Sequence, residues 1–177
     1  TWSNNRGLFA RDHGARSGRQ ESRARAEKYF KLSLWAYRNA LKHDPENPRL
    51  LNDTALIMVY HVREEAPKAE ALFRRAIELG EKQMKELPKT DYDARQQLDE
   101  AIGDAWQNLG VYYISRKKVE LLDQAEECFR RSLEHYSPDG RRVVKRHLRA
   151  IEQVKRRREE ERRRREEEKA AKQEKEE

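Results

Sequence analysis

Apolar positions along this chain recur three and four residues apart, in blocks separated by short polar turns, and nowhere alternate at the spacing of two that a half-buried strand needs. The pattern predicts helices throughout. Tyr29, Phe30, Leu32, Leu34, Trp35, Tyr37 and Leu41 are dense enough for a helix buried on most of its circumference, closed by the HDPENP turn at 43–48, where Pro45 cannot continue it. Leu50, Leu51, Ala55, Leu56, Met58 and Val59 mark the next helix, and Ala69, Phe73, Ala76, Ile77 and Leu79 the one after. A Thr90-x-x-Asp93 capping pattern after Pro88 opens a long helix ending near Arg116, and residues 117–121 form a turn. After 137–140 (SPDG) comes a stripe of Val143, Val144, Leu148, Ile151 and Val154; beyond it, residues 155–177 carry opposite charges three and four apart and no core residue. Such pairs each add about 0.2–0.5 kcal/mol to an isolated helix, so the tail predicts a solvated single helix; heptad apolar positions for a coiled coil are missing there.

The stretch 106–138 carries a signature. Trp106, Leu109, Gly110 and Tyr113 stand as W-x2-L-G-x2-Y, and Ala125, Phe129 and Pro138 as A-x3-F…P. The run Ala69, Phe73, Ala76 repeats the A-x3-F-x2-A core one unit earlier. On these residues the chain resembles the tetratricopeptide repeat family. Residues 1–12, 50–61 and 105–116 align, with Gly7, Ala55 and Gly110 at the small-residue position and Asn5, Asp53 and Asn108 two before it. The resemblance implies an all-α fold of about three helical hairpins in a right-handed solenoid. The units fall at about 1–45, 46–88 and 89–138, with a Gly/Ser/Arg insertion near 13–25, a capping helix over 139–154 and the charged helix over 155–177. A lone unit cannot bury its apolar face, so neighbours must stack on either side.

Composition sharpens this picture. With 36% hydrophobic and 41% charged residues the chain suits a thin stack of helices, not one thick core. No apolar run reaches the roughly 18 residues of a membrane span. The single cysteine, Cys128, makes no intrachain disulfide, which leans toward the cytoplasm; the chain begins at Thr1 without Met, so a targeting segment can lie upstream. Histidines 13, 43, 61, 135 and 147 have no metal-ligand spacing and no glycine run forms a phosphate loop. No metal, cofactor or small-molecule substrate is therefore expected, and the chain reads as non-enzymatic. Cys128, beside Phe129, reads as a small core residue, since nothing in its neighbourhood would lower its pKa.

The net charge of +7 is uneven: residues 1–28 hold seven basic and three acidic residues, and residues 155–177 hold 11 basic and nine acidic. Arg6, Arg11, Arg16, Arg19, Arg23 and Arg25 form a candidate contact for an acidic partner or nucleic acid, against the simpler reading of a solvated surface. In the tail the interleaved glutamates neutralise the arginine clusters and no aromatic offers a stacking platform.

What the resemblance implies about function is a surface. First helices of such units line a concave groove that holds a peptide or a partner's helix. By the alignment its lining is Asn4, Asn5 and Leu8, then Asn52, Asp53, Leu56 and Tyr60, then Gln107, Asn108 and Val111. An amide offers both donor and acceptor to an extended backbone; the same residues also suit plain contacts between units. The basic clamp that some relatives close on chaperone C-termini is not matched, because Asp104 and Gln107 stand where basic or Asn ligands are wanted. The expected partner is thus another protein or a multi-subunit assembly, with a nucleic-acid-associated subunit and a purely architectural subunit as alternatives.

Overall fold

A computed structural model describes residues 20–137 and 140–176. The candidate groove residues Asn4, Asn5 and Leu8, the basic residues Arg6, Arg11, Arg16 and Arg19, and the expected first helix of the first unit lie outside the described residues. Among the described residues the chain is all-helical, without strands. The helices are α1 (Gln20–His43), α2 (Pro48–Tyr60), α3 (Ala69–Glu86), α4 (Tyr92–Ser115), α5 (Leu122–His135) and α6 (Arg141–Glu176), with 3₁₀ turns at Arg63–Lys68 and Val119–Leu121. They fall into two compact units, Thr1–Tyr136 and Ser137–Glu177.

Local chemistry sets the boundaries. Asn47 caps α2, its side chain accepting from the Leu50 amide at 3.1 Å, and Pro48 follows at the first helical position, where a missing N–H costs nothing. α4 opens one residue later than expected. Its cap is Asp91, which accepts from the Ala94 amide at 3.2 Å; Thr90 precedes it in a turn. α4 ends at Ser115 and the chain leaves it through Lys117 in a left-handed conformation (φ 55°), donating its amide to Ile114.

Consecutive helices of the first unit pack against one another. Gln83, near the end of α3, donates to the Glu46 carbonyl just before α2 (2.9 Å), and Arg95, early in α4, donates to the Met84 and Leu87 carbonyls at the end of α3. Both pairs therefore run antiparallel. So do α1 and α2, since the Phe30 ring stacks on His61 with centroids 3.7 Å apart while Tyr37 bonds Asp53. The core lies between the helices: Phe73, Phe129, Ile57, Ile102 and Leu109 are the largest apolar side chains fully buried there, and Ala55, Ala69, Ala76, Ala105 and Ala125 keep the seams narrow.

α1 differs from expectation. Ala26, Phe30, Ser33 and Leu34 are buried, but Leu32 is 40% and Trp35 63% exposed, so one face is buried and not most of the circumference. Its main packing neighbour among the described residues is α2, and one neighbour covers one stripe. In the second unit α6 is a single helix, continuous through residues 154 and 155 where the capping helix and the charged tail were expected to meet. Its ion pairs are those of a solvated helix: Arg156 with Glu160, and Arg162 with both Glu159 and Glu166.

The signature glycine occupies a tight contact of α4 with α5. A β-carbon on Gly110 would sit 3.0 Å from two atoms of the Phe129 ring and 3.2 Å from the Ala125 carbonyl oxygen. Phe129 is fully buried and the carbonyl belongs to a helix backbone, so neither can give way cheaply. We expect Gly110→Ala to lose about 1–2 kcal/mol of stability, strain outweighing the gain in helix propensity. Urea denaturation would show a lower midpoint; an unchanged or raised midpoint would mean the seam is loose.

Candidate interaction surface

α2 and α4 are neighbours that run in the same direction, as their cross-links show. Arg49, at the start of α2, pairs with Asp104, midway along α4, and one turn on Asn108 Nδ2 donates to Asn52 Oδ1 at 3.0 Å. Between and above these links, each helix turns a half-exposed row outward. On α2 the row is Arg49, Asp53, Leu56 and Tyr60, and on α4 it is Asp104, Gln107 and Val111. Spacings of three and four residues keep each row on one face.

Seven of the expected groove residues are thus brought together on two adjacent helices. They do not all face the same way. Asp53, Leu56, Gln107 and Val111 are half-exposed and Tyr60 is 46% exposed, whereas Asn52 (2%) and Asn108 (9%) are buried in the seam and bonded to each other. Asn52 Nδ2 also donates to Asp53 Oδ1 at 3.3 Å, and Tyr37 of α1 donates to the same carboxylate. The two amides join neighbouring helices, and the groove floor is formed by the residues beside them.

Sequence reasoning passed over the charged end of this surface. Asp104 bonds both Arg49 and the Tyr136 hydroxyl, which donates to Asp104 Oδ1 at 2.6 Å. Burial, with Asp104 next to it, pushes the Tyr136 hydroxyl far above its usual range. A signal existed, because Arg49 and Asp104 occupy equivalent places in the aligned segments and carry opposite charge. A second cross-link lies on the other side of α4. Tyr113 donates to Glu70 at 2.6 Å and accepts from Arg74 at 2.6 Å, tying the signature tyrosine to α3.

Asp53 is the electrostatically exposed point of the surface. Burial raises its pKa above the usual carboxylate value and Asp104 adds to the rise, while Arg49, Asn52 and Tyr37 oppose it. Elsewhere, burial pushes the Cys128 thiol up to about 12, so it is a thiol and not a thiolate at neutral pH, in line with a core role. His135 Nδ1 lies 2.7 Å from Asp99 Oδ1 across α4 and α5. Among the described residues no three His, Cys, Asp or Glu side chains gather as a metal site would require, and no helix is long and apolar enough to cross a membrane. Of the basic residues expected near the start, Arg23 lies within α1 and Arg25 is exposed on it.

No family model, no curated protein and no solved structure matches this chain.

The seam generates two expectations. Asn108→Ala leaves the buried Asn52 oxygen without its donor and should cost about 1–3 kcal/mol, while adding Asn52→Ala should cost less than the sum of the single changes. Strict additivity in urea denaturation would show that the bond contributes nothing. For Asp53 the sign follows from its raised pKa. Between the ordinary and the raised value the folded chain holds more proton than the unfolded one, so this contribution to stability is present at low pH and lost as pH rises through that window. Asp53→Asn should therefore raise the melting temperature near pH 7, with the advantage shrinking on acidification through the carboxylate range; a constant difference across pH would exclude this account.

Proposed function

We propose that this protein is a non-enzymatic interaction scaffold of tetratricopeptide-like hairpins, and that the face shared by α2 and α4 holds a segment of another protein. The observation that carries the proposal is the pair of parallel half-exposed rows. Leu56 and Tyr60 on α2 and Val111 on α4 form an apolar end of the face. Arg49, Asp53, Asp104 and Gln107 form a polar end beside it. A surface of this kind, an apolar patch next to polar groups on packed helices, suits a peptide or helix laid along it. The family resemblance supports the same face, since first helices of successive units line the groove.

The buried amide pair alters which residues would meet the ligand. Asn52 and Asn108 support the floor, so donors and acceptors for a bound main chain come from Asp53 and Gln107. Apolar anchoring falls to Leu56, Tyr60 and Val111, and the aromatic anchor Tyr60 is the residue type most often dominant in such contacts. Its hydroxyl, raised in pKa by burial, stays protonated and able to donate.

A pull-down from the native cell's lysate, run with nuclease present, tests this with a Tyr60→Ala/Gln107→Ala/Val111→Ala variant beside the parent chain. Both should melt alike, since the substituted residues lie on the surface. Proteins retained by the parent and lost from the variant support the groove; an identical set on both would rule it out as the binding face.

A further inference from the structure

The strongest charge concentration in the chain lies in the first half of α6. Residues 141–158 hold nine basic residues and one acidic residue, Glu152, a net of +8 within 18 positions. The division of the helix at Lys155 in sequence reading splits this run in two and hides it. On the helix the charges are not scattered. Arg142, Lys145, Arg146, Arg149, Arg156 and Arg157 fall on one side, in steps of three, four and seven, and all six are exposed. The row is about 22 Å long at 1.5 Å per residue.

Three features set it apart from an ordinary solvated face. The second half of α6 neutralises itself, Arg162 pairing with Glu159 and Glu166, and Glu160 reaches back to Arg156 at the end of the row, but Arg142, Lys145, Arg146 and Arg149 make no ion pair among the described residues. Arg142 with Arg146, and Lys145 with Arg149, place like charges four apart, an arrangement that destabilises a helix. No acidic residue stands in the first turn, so the charges also oppose the helix dipole. Local rules broken together without internal compensation are what a binding surface looks like in the absence of its ligand.

We propose that this row binds the phosphate backbone of duplex DNA, without reading its sequence. Five of the six residues are arginines, whose planar fork matches phosphate oxygens better than a lysine does. Gln153 is exposed on the same face, but no aromatic stands there to stack on single-stranded bases, and contact made by five arginines and a lysine is the electrostatic kind that binds a backbone without sequence preference. A bilayer is the poorer fit, because Val144 and Ile151 are buried and the apolar side chains exposed beside the row are two valines, Val143 and Val154, too few for a face that lies in lipid. An acidic protein segment is poorer too, since beside six charged residues the face offers two valines, Val143 and Val154, and no aromatic or leucine anchor. An α-helix fits the major groove of B-form DNA but cannot enter that of A-form RNA. The glutamates at 159, 160 and 161 bound the site, Glu160 already pairing with Arg156 at its edge.

Fluorescence anisotropy of the full chain with a labelled random-sequence DNA duplex of about 20 base pairs tests the proposal. About five neutralised phosphates give a log–log salt slope of about −4 to −5. The variant Arg142→Gln/Arg146→Gln/Arg149→Gln should bind about tenfold or more weakly at low salt, and Arg163→Gln/Arg164→Gln, in the self-neutralised half, less than about twofold. Circular dichroism should show equal helix content in all three. A slope shallower than about −2, wild-type binding by the triple variant, or a loss that appears only when Arg6, Arg11 and Arg16 are replaced would overturn the assignment. Equal or better competition by duplex RNA, polyglutamate or anionic vesicles would overturn the choice of DNA.

Discussion

The approach of α5 to α4 over Gly110 is the constraint on which the first unit rests. The Phe129 ring occupies the space a side chain would need, and through it α5 is set at a distance that also buries Ala125 and Cys128. The same closeness recurs about two turns earlier, where a β-carbon on Gly103 would meet His135 at 2.9 Å and the Tyr136 ring at 3.4 Å. With both ends of α5 held this way, Tyr136 is placed to reach Asp104, and the Arg49 to Asp104 pair follows. The polar end of the candidate groove is thus a consequence of helix spacing on the opposite side of α4.

Much of this was legible from residue patterns. Helix identity and the breaks at residues 43–48 and after Pro88 follow from spacing and from where small residues and prolines fall. Side-chain direction within the groove did not follow. The alignment sets Asn52 against Gln107 and Asp53 against Asn108, yet the bond forms between Asn52 and Asn108, one position off register. Adjacent residues on a helix point about 100° apart, so an alignment correct to the residue still leaves open which of two neighbours is turned into the seam. Burial of the helices against α3 decides it. Arg49 and Asp104, by contrast, meet at aligned positions, because the long, half-exposed Arg49 side chain can reach its partner without being turned into the seam.

Exposure on α1 was misjudged for a related reason. Density of apolar residues cannot say how many neighbours a helix has. Tyr29, Leu32 and Trp35 raise the apparent hydrophobicity of the whole circumference, but a stripe is buried only where another helix lies, and α2 covers only the side carrying Ala26, Phe30, Ser33 and Leu34. Composition misleads in the same way for α6. Averaged over residues 155–177 the charge nearly cancels, with 11 basic and nine acidic residues, and a window drawn where the apolar stripe ends conceals a row that continues across that boundary.

The two halves of α6 consequently obey different rules. From Glu159 onward each arginine cluster has glutamates three and four residues away, so the helix is held by pairs that salt weakens but no ligand is needed to complete. Before Glu159 the charges on one side repel along the helix and oppose its dipole. That half is helical in spite of its exposed charges, so an anion laid along it would relieve repulsion as well as gain attraction. Binding there and the order of the helix are then linked. The apolar end of the candidate groove on α2 and α4 has no such dependence, so the two surfaces would respond differently to ionic strength: phosphate contact fades as counterions accumulate, while burial of Leu56, Tyr60 and Val111 does not.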